Sequence, residues 1–172
     1  TVMMDRPRHV LEILPEDIPL EIVYEDDDLL VVNKPAGLVV HPGCGNYHGT
    51  MVNALAYHFK DDPKMQAMSD PRMGLVHRID KDTSGLLVVA KNEDARTNLA
   101  MQFYNKTSRR KYVALVWGHI EENEGRVEGN IGRSLKDRLQ MTVFPEGDHG
   151  KHAVTHFKVL ERIGYVTVVQ CV

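Results

Sequence analysis

Apolar residues fall mostly into short runs bounded by turn residues, a pattern typical of β-strands. Residues 21–24 and 29–32 are two β-rich runs joined by the acidic segment 25–28, which predicts a hairpin. Residues 33–43 predict a turn, a short strand and another turn. Further predicted strands lie at 74–76, 86–90, 112–117, 126–131, 139–144, 153–160 and 165–172.

Two segments have apolar residues at helical spacing instead. Thr50 is placed to cap a helix from residue 51 to about 60, and Asn92 a second from 93 to about 106. The predicted core-facing positions are Val52, Leu55, Ala56 and Phe59 in the first helix and Ala95, Leu99, Ala100 and Phe103 in the second. The polar segment 61–72 contains two prolines and predicts a loop.

Strands outnumber helices and hairpins are prominent, so we predict an α+β domain. Its largely antiparallel, mixed β-sheet has helices packed against it. Residues 1–20 carry three prolines with little periodicity and predict an extended lead-in or linker. The domain proper is then 21–172.

The stretch 74–91 places a polar segment between two apolar runs. That segment contains His77, Arg78, Asp80, Lys81, Asp82, Thr83 and Ser84. Charged groups between buried strands must face solvent or find a partner, because burying them alone is costly. Active sites are common where a strand passes into a loop. An ordinary polar turn explains the same residues, and residue types by themselves leave both interpretations open.

Composition narrows the classes of protein. A hydrophobic fraction of 42% and a charged fraction of 26% are typical of a globular domain. The two cysteines are too few for a disulfide framework, and no apolar run approaches the roughly 20 residues that cross a bilayer. We therefore expect a soluble, cytoplasmic domain. With a net charge of −3, any nucleic-acid binding has to depend on local charge.

Cofactor motifs are weak in this sequence. His41, Cys44 and His48 lack the partners that a structural zinc site needs. Gly43-Cys-Gly45 is not followed by the Gly-Lys-Ser/Thr of a phosphate-binding loop. The cationic run at 106–111 fits either a solvated helix C-terminus or a patch that contacts phosphates.

Three motifs together resemble the RluA family of pseudouridine synthases. Residues 77–85, His-Arg-Ile-Asp-Lys-Asp-Thr-Ser-Gly, are similar to its His-Arg-Leu-Asp-x-x-Thr-Ser-Gly signature, with Ile79 in place of Leu. Residues 24–43 resemble its opening hairpin and Lys-Pro-Ala-Gly loop, and residues 110–116 its Lys-x-Tyr-x-Ala motif. The resemblance runs from about residue 16 to the end and is closest to the RluD type, which modifies large-subunit ribosomal RNA.

The resemblance implies an isomerase that uses neither metal nor cofactor and takes RNA as its partner, with transfer RNA as an alternative substrate. Asp80 is at the family's catalytic position, as nucleophile or general base, and Tyr112 at that of its active-site tyrosine. Arg78 is expected to face RNA, or alternatively to pair with Asp82. His77, Thr83, Lys106, Arg109, Arg110 and Arg133 are further expected RNA contacts.

The chain also departs from that family's pattern. RluD-type proteins usually begin with a small RNA-binding domain and carry an Arg-Thr-His-Gln-Ile-Arg motif shortly after the strand that here ends at Val172. We therefore expect the N-terminal portion of a catalytic domain with its C-terminal part missing, and an open sheet edge at 165–172. A non-catalytic RNA-binding fragment remains an alternative, as does a hydrolase acting on a nucleoside or sugar.

Overall fold

Antiparallel strands dominate residues 12–43, 45–137 and 139–172, the part of the chain that the computed structural model describes. In chain order the elements are β1 Glu21–Glu25, β2 Leu29–Lys34, α1 Met51–His58, α2 Pro63–Met68, β3 Gly85–Ala90, α3 Glu93–Tyr104, β4 Tyr112–Trp117, β5 Glu124–Arg133, β6 Met141–Phe144, β7 Lys151–Ile163 and β8 Val166–Cys171. They divide into two units, residues 1–107 and 108–172, which are described separately. The predicted α+β class is confirmed.

The first unit contains a three-stranded sheet in the order β1-β2-β3, and both strand pairs are antiparallel. The predicted hairpin is confirmed as β1 and β2, and its turn is held by Asp26, whose Oδ1 accepts from the backbone amides of Asp28 and Leu29. The core lies between this sheet and the first two helices. Its buried members are Leu30, Val32, Val40, Met51, Val52, Leu55, Phe59, Met65, Leu75, Ile79, Leu87 and Val89.

Helix α1 begins where the sequence predicts. Thr50 is its N-cap and forms a reciprocal capping box with Asn53. All four predicted core-facing residues of this helix are buried. The Asn53 side chain also donates to the Leu14 carbonyl oxygen at 2.9 Å. Residues 12–20, which form no helix or strand, are therefore tied to the first unit at this point.

Three local predictions in the first unit are wrong. Residues 74–76 form no strand, since only Leu75 pairs there, in an isolated bridge with Val89. Residues 38–40 form no strand, because the carbonyl oxygens of Val39 and Val40 accept the first amides of α1, from Met51 and Val52. The predicted loop 61–72 contains the short helix α2. Asp62 caps it and Pro63 occupies its first turn, where a missing amide hydrogen costs nothing.

The second helix of the sequence analysis is α3, which ends at Tyr104 and so is two residues shorter than predicted. Asn92 caps it as expected, since its Oδ1 accepts from the Ala95 amide. Lys106 takes a left-handed conformation with φ 56° and terminates the helix. Ala95, Leu99 and Phe103 are only half-buried, and Ala100 is exposed.

The second unit is a five-stranded antiparallel sheet in the order β4-β8-β7-β5-β6. Its five strands were all predicted, with ends displaced by up to three residues. The prediction of an open edge at 165–172 is wrong, because β8 pairs with β4 on one side and with β7 on the other. The edges of this sheet are β4 and β6.

Among the described residues, no helix is long and apolar enough to cross a membrane.

Candidate active site

The polar segment between the predicted apolar runs forms a loop that leads into β3. Ile79 is buried in the core of the first unit, whereas its neighbours Arg78 and Asp80 are both exposed. The backbone amide of Thr83 donates to the Asp80 carbonyl oxygen at 3.2 Å and closes a turn. Ile79 thus anchors the loop in the core of the first unit, while Asp80 and Arg78 are exposed to solvent.

Lys34 also binds this loop, through the carbonyl oxygen of Lys81. Its side chain is fully buried at the end of β2, and its ammonium donates to the carbonyl oxygens of Pro35, Leu38 and Lys81, each at 2.8 Å. The Lys81 carbonyl oxygen also accepts from the Gly37 amide at 2.8 Å. The Lys-Pro-Ala-Gly loop is therefore bonded twice to the residue that follows Asp80.

The charge of Lys34 links it electrostatically to the same loop. Burial lowers the pKa of the Lys34 ammonium, and the carboxylates of Asp82 and Asp80 oppose that shift. A buried cation therefore lies within electrostatic reach of both carboxylates of the loop.

Lys34 was not predicted as a supporting residue, although its place in the alternation along β2 indicates that its side chain is buried. Leu30, Val32 and Lys34 alternate along β2, so the period of two that buries the first two also directs Lys34 inward. A lysine on an otherwise apolar strand face requires acceptors inside the protein.

Arg78 does not form the alternative ion pair considered in the sequence analysis. Within the described ranges, no salt bridge joins Arg78 to Asp82, and both side chains are exposed. The guanidinium is thus left available at the surface beside Asp80. Contact with RNA by Arg78 stays a prediction.

His77 is half-buried and is engaged within the first unit. Its Nε2 accepts the backbone amide of Val88 at 3.0 Å, and its ring stacks on Phe103 with centroids 4.3 Å apart. Thr83 is half-buried as well. RNA contacts by His77 and Thr83 stay predictions.

The remaining predicted residues lie on both units. Lys106 ends α3 in the first unit and is exposed. Arg109 and Arg110 are exposed in the second unit, where the Arg133 side chain also donates to the Leu139 carbonyl oxygen at 3.4 Å. Tyr112 is the first residue of β4 and is 39% exposed. The structure thus groups Asp80, Arg78, His77 and Thr83 on one loop of the first unit, and Tyr112 belongs to the second.

The described residues include no candidate metal site. In the described part of the chain, no group of three or more His, Cys, Asp or Glu side chains is arranged to hold a metal ion. A surface depression of about 380 Å³ shares no residue with the Asp80 loop. It is lined by Asp27, His58, Asp61, Asp62, Pro63, Lys64 and Lys91.

Comparison with known proteins agrees with the motifs in the site. The model of the family described as RNA pseudouridylate synthase matches residues 28–172, which include both the Asp80 loop and Lys34. The uncharacterised RNA pseudouridine synthase YlyB of Bacillus subtilis is 50% identical over 99% of this chain and 54% of its own. The ribosomal large subunit pseudouridine synthase D of Zymomonas mobilis is 47% identical over 99% of this chain and 52% of its own.

Solved structures give the same relationship. Human RNA pseudouridylate synthase domain containing 1 superimposes with a TM-score of 0.68 at 28% identity, over 89% of this chain and 58% of that protein. The chain therefore spans about half the length of the curated relatives it matches. Since the family model covers most of the chain, the chain belongs to the RNA pseudouridylate synthase family, as its RluA-type motifs imply.

Proposed function

We propose that this protein is an RNA pseudouridine synthase that isomerises uridines of large-subunit ribosomal RNA through Asp80. The observation that carries the proposal is an exposed carboxylate on a fixed loop, held by buried Ile79 and by the bonds of Lys34 to the carbonyl of Lys81. Residues 21–172 then form the N-terminal portion of the catalytic domain, and residues 1–20 lead into it.

The reaction requires few chemical groups. The bond between N1 of the base and C1′ of the ribose breaks, the base rotates, and a new bond forms between C5 and C1′. The hydrogen on C5 leaves as a proton and N1 gains one, so no redox step or co-reactant is needed. Asp80 attacks either the sugar or the pyrimidine ring as a nucleophile, or removes the C5 proton as a base.

RNA recognition is assigned to residues of both units. A uridine has to leave its stack before a pocket can hold it, and an arginine beside the reacting group fills the vacated space or clamps a phosphate. We assign that role to Arg78. Tyr112 stacks on the extruded base, while Lys106, Arg109, Arg110 and Arg133 contribute phosphate contacts.

The choice of ribosomal RNA is supported by the names of relatives. Those of Zymomonas mobilis and Nitrosomonas europaea, 47% and 49% identical, are both called ribosomal large subunit pseudouridine synthase D. Bacterial ribosomal RNA is modified in the cytoplasm, and we propose that this protein is located there. No metal or cofactor is required by the proposed chemistry.

Release of tritium from C5 of labelled uridine tests the proposal. We would assay unmodified ribosomal RNA and transfer RNA in parallel. The proteins would be the 172-residue chain and a chimaera in which this chain replaces the matching region of the Zymomonas mobilis relative. We expect release from ribosomal RNA and none from transfer RNA.

The other outcomes separate the alternatives. Release from transfer RNA alone would replace the substrate. Binding of RNA without release by either protein would favour a non-catalytic RNA-binding module, and appearance of free uracil would indicate a hydrolase. Arg78→Ala is expected to weaken RNA binding and base extrusion. Unchanged affinity and unchanged turnover in that variant would contradict its assigned role.

A further inference from the structure

The segment before the Asp80 loop runs beside the edge of β3 that faces away from β2. The Ala90 amide donates to the Gly74 carbonyl oxygen at 2.9 Å, and Leu75 forms an antiparallel bridge with Val89. Only glycine fits at position 74, because φ is +78° and a Cβ there would lie 2.0 Å from the Ala90 carbonyl oxygen. The register of this short ladder is therefore fixed.

The ladder stops one step later, and a side chain replaces the missing backbone partner. In an antiparallel register that pairs 75 with 89, the next bond would join the Val88 amide to the carbonyl oxygen of Val76. The Val88 amide donates instead to Nε2 of His77, at 3.0 Å. The imidazole thus satisfies the β3 amide at the point where the chain leaves the sheet for Arg78 and Asp80.

This contact specifies the chemical form of the ring. An Nε2 that accepts a hydrogen bond carries no proton, so the neutral imidazole holds its proton on Nδ1. Phe103 of α3 fixes the plane of the ring, with centroids 4.3 Å apart and an interplanar angle of 18°. Helix α3, strand β3 and the start of the loop therefore meet at one side chain.

We propose that His77 is a positioning residue, whose Nδ1-protonated imidazole ends the β3 ladder and fixes the direction in which residues 78–80 leave the sheet. The proposal rests on the proposed catalytic role of Asp80 for its functional consequence, but its structural content does not. Because Asp80 follows three residues later, loss of the acceptor displaces the reacting carboxylate; this positioning role replaces the RNA contact that the sequence predicts for His77.

Three variants of His77 test whether the contact requires a hydrogen-bond acceptor at the position of Nε2 or only a side chain of similar size. In His77→Gln, the side-chain oxygen reaches the position of Nε2, whereas the oxygen of His77→Asn reaches only that of Nδ1. His77→Leu fills similar space with no acceptor. We expect Gln to restore the contact, and Asn and Leu to lose it.

Nuclear magnetic resonance on the ¹⁵N-labelled 172-residue chain gives a readout that needs no activity. We expect His77, assigned by the loss of its signals in His77→Gln, to show a protonated Nδ1 and an acceptor Nε2 at neutral pH. Exchange of the Val88 amide should accelerate at least tenfold in the Leu and Asn variants and return towards the native rate in Gln. A protonated Nε2, or equal exchange rates in all variants, would overturn the proposal.

The functional test measures turnover in the tritium assay, with the 172-residue chain or, if only the chimaera is active, with the chimaera. We expect His77→Leu to lower kcat on the order of 100-fold, with the Kd for RNA unchanged, since small displacements of a reacting group have effects of this size. Full kcat in His77→Leu, with activity still lost in Asp80→Asn, would refute the positioning role alone. The imidazole signature together with full activity in Asp80→Asn would instead refute the proposed function.

Discussion

The two units of the chain bury their apolar residues very differently. Every buried apolar side chain in the described ranges lies in the first unit except Val169. In the second unit, Val113, Leu115 and Trp117 alternate along one side of β4 with exposures of 68%, 66% and 87%. The first unit therefore has a core of its own, whereas Val169 is the one buried apolar side chain described in the second.

This difference explains why the Asp80 loop is held in one position by buried residues. Asp80 and Arg78 belong to the unit with the core, and Ile79, Lys34 and Gly74 connect their loop to buried residues. In the second unit, the fully buried Thr167 is an exception that ties strand to turn, because its hydroxyl donates to the Gly118 carbonyl oxygen at 2.7 Å.

Truncating a leucine should lower stability far more in the first unit than in the second. Leu55 is fully buried, so Leu55→Ala should lower the free energy of unfolding by about 3 kcal/mol through lost burial and a residual cavity. Leu115→Ala, at an exposed site, should change it by no more than about 0.5 kcal/mol. Urea denaturation of both variants measures this contrast, and equal losses would show that the second unit has a core comparable to the first.

Removing the buried ammonium should weaken the support of the Asp80 loop. Lys34→Met removes the ammonium donor from three carbonyl oxygens, of which, in the described part of the chain, only that of Lys81 keeps a second donor, the Gly37 amide. We expect a loss of roughly 1–3 kcal/mol in the free energy of unfolding. Lys81→Met is the control, because that side chain is exposed and its backbone carbonyl is retained. Native stability in Lys34→Met would contradict the supporting role of the ammonium.

The smallest effect concerns two glutamates whose stability contributions depend on pH. Burial by itself would raise the pKa of Glu25, but hydrogen bonds from Lys91 and His58 bring it below its ordinary value. A hydrogen bond from His152 likewise lowers the pKa of Glu128 in the second unit. Each contribution is present above an unfolded pKa of about 4.3 and is lost as pH falls through the lower folded pKa.

Glu25→Gln should therefore reduce the dependence of stability on pH below about 4.3 more than Glu128→Gln does. The Glu128 side chain is 43% exposed against 30% for Glu25, and solvent screens its interactions more strongly. Urea midpoints between acidic and neutral pH measure the difference. A larger change in the pH dependence of stability for Glu128→Gln than for Glu25→Gln would contradict the prediction that Glu25 has the stronger interactions.

Patterns within a few residues predicted much of this structure. Short β-rich runs bounded by turn residues located the hairpin and all five strands of the second unit, and Thr50 and Asn92 marked the starts of α1 and α3. The motif at 77–85 placed Asp80 on a loop before a buried strand. These features depend on residue type, turn residues and capping, which are local properties of a sequence.

Contacts between distant residues account for what the sequence did not predict. Residues 38–40 are not a strand because their carbonyl groups cap α1, and β8 is central because strands on both sides pair with it. The bond of Lys34 to Lys81 and that of His77 to Val88 likewise join separate segments. No pattern within one segment specifies which distant amide or carbonyl it will meet.

The most direct test compares the two carboxylates of the loop, because Asp80→Asn and Asp82→Asn remove the same charge near Lys34. Tritium release from C5 of uridine in ribosomal RNA would be measured for both variants. We expect Asp80→Asn to lower turnover by about 10³-fold or more, as for loss of a reacting group, and Asp82→Asn to remain within about tenfold. Native release by Asp80→Asn, or loss confined to Asp82→Asn, would contradict the assignment of Asp80 as the reacting group.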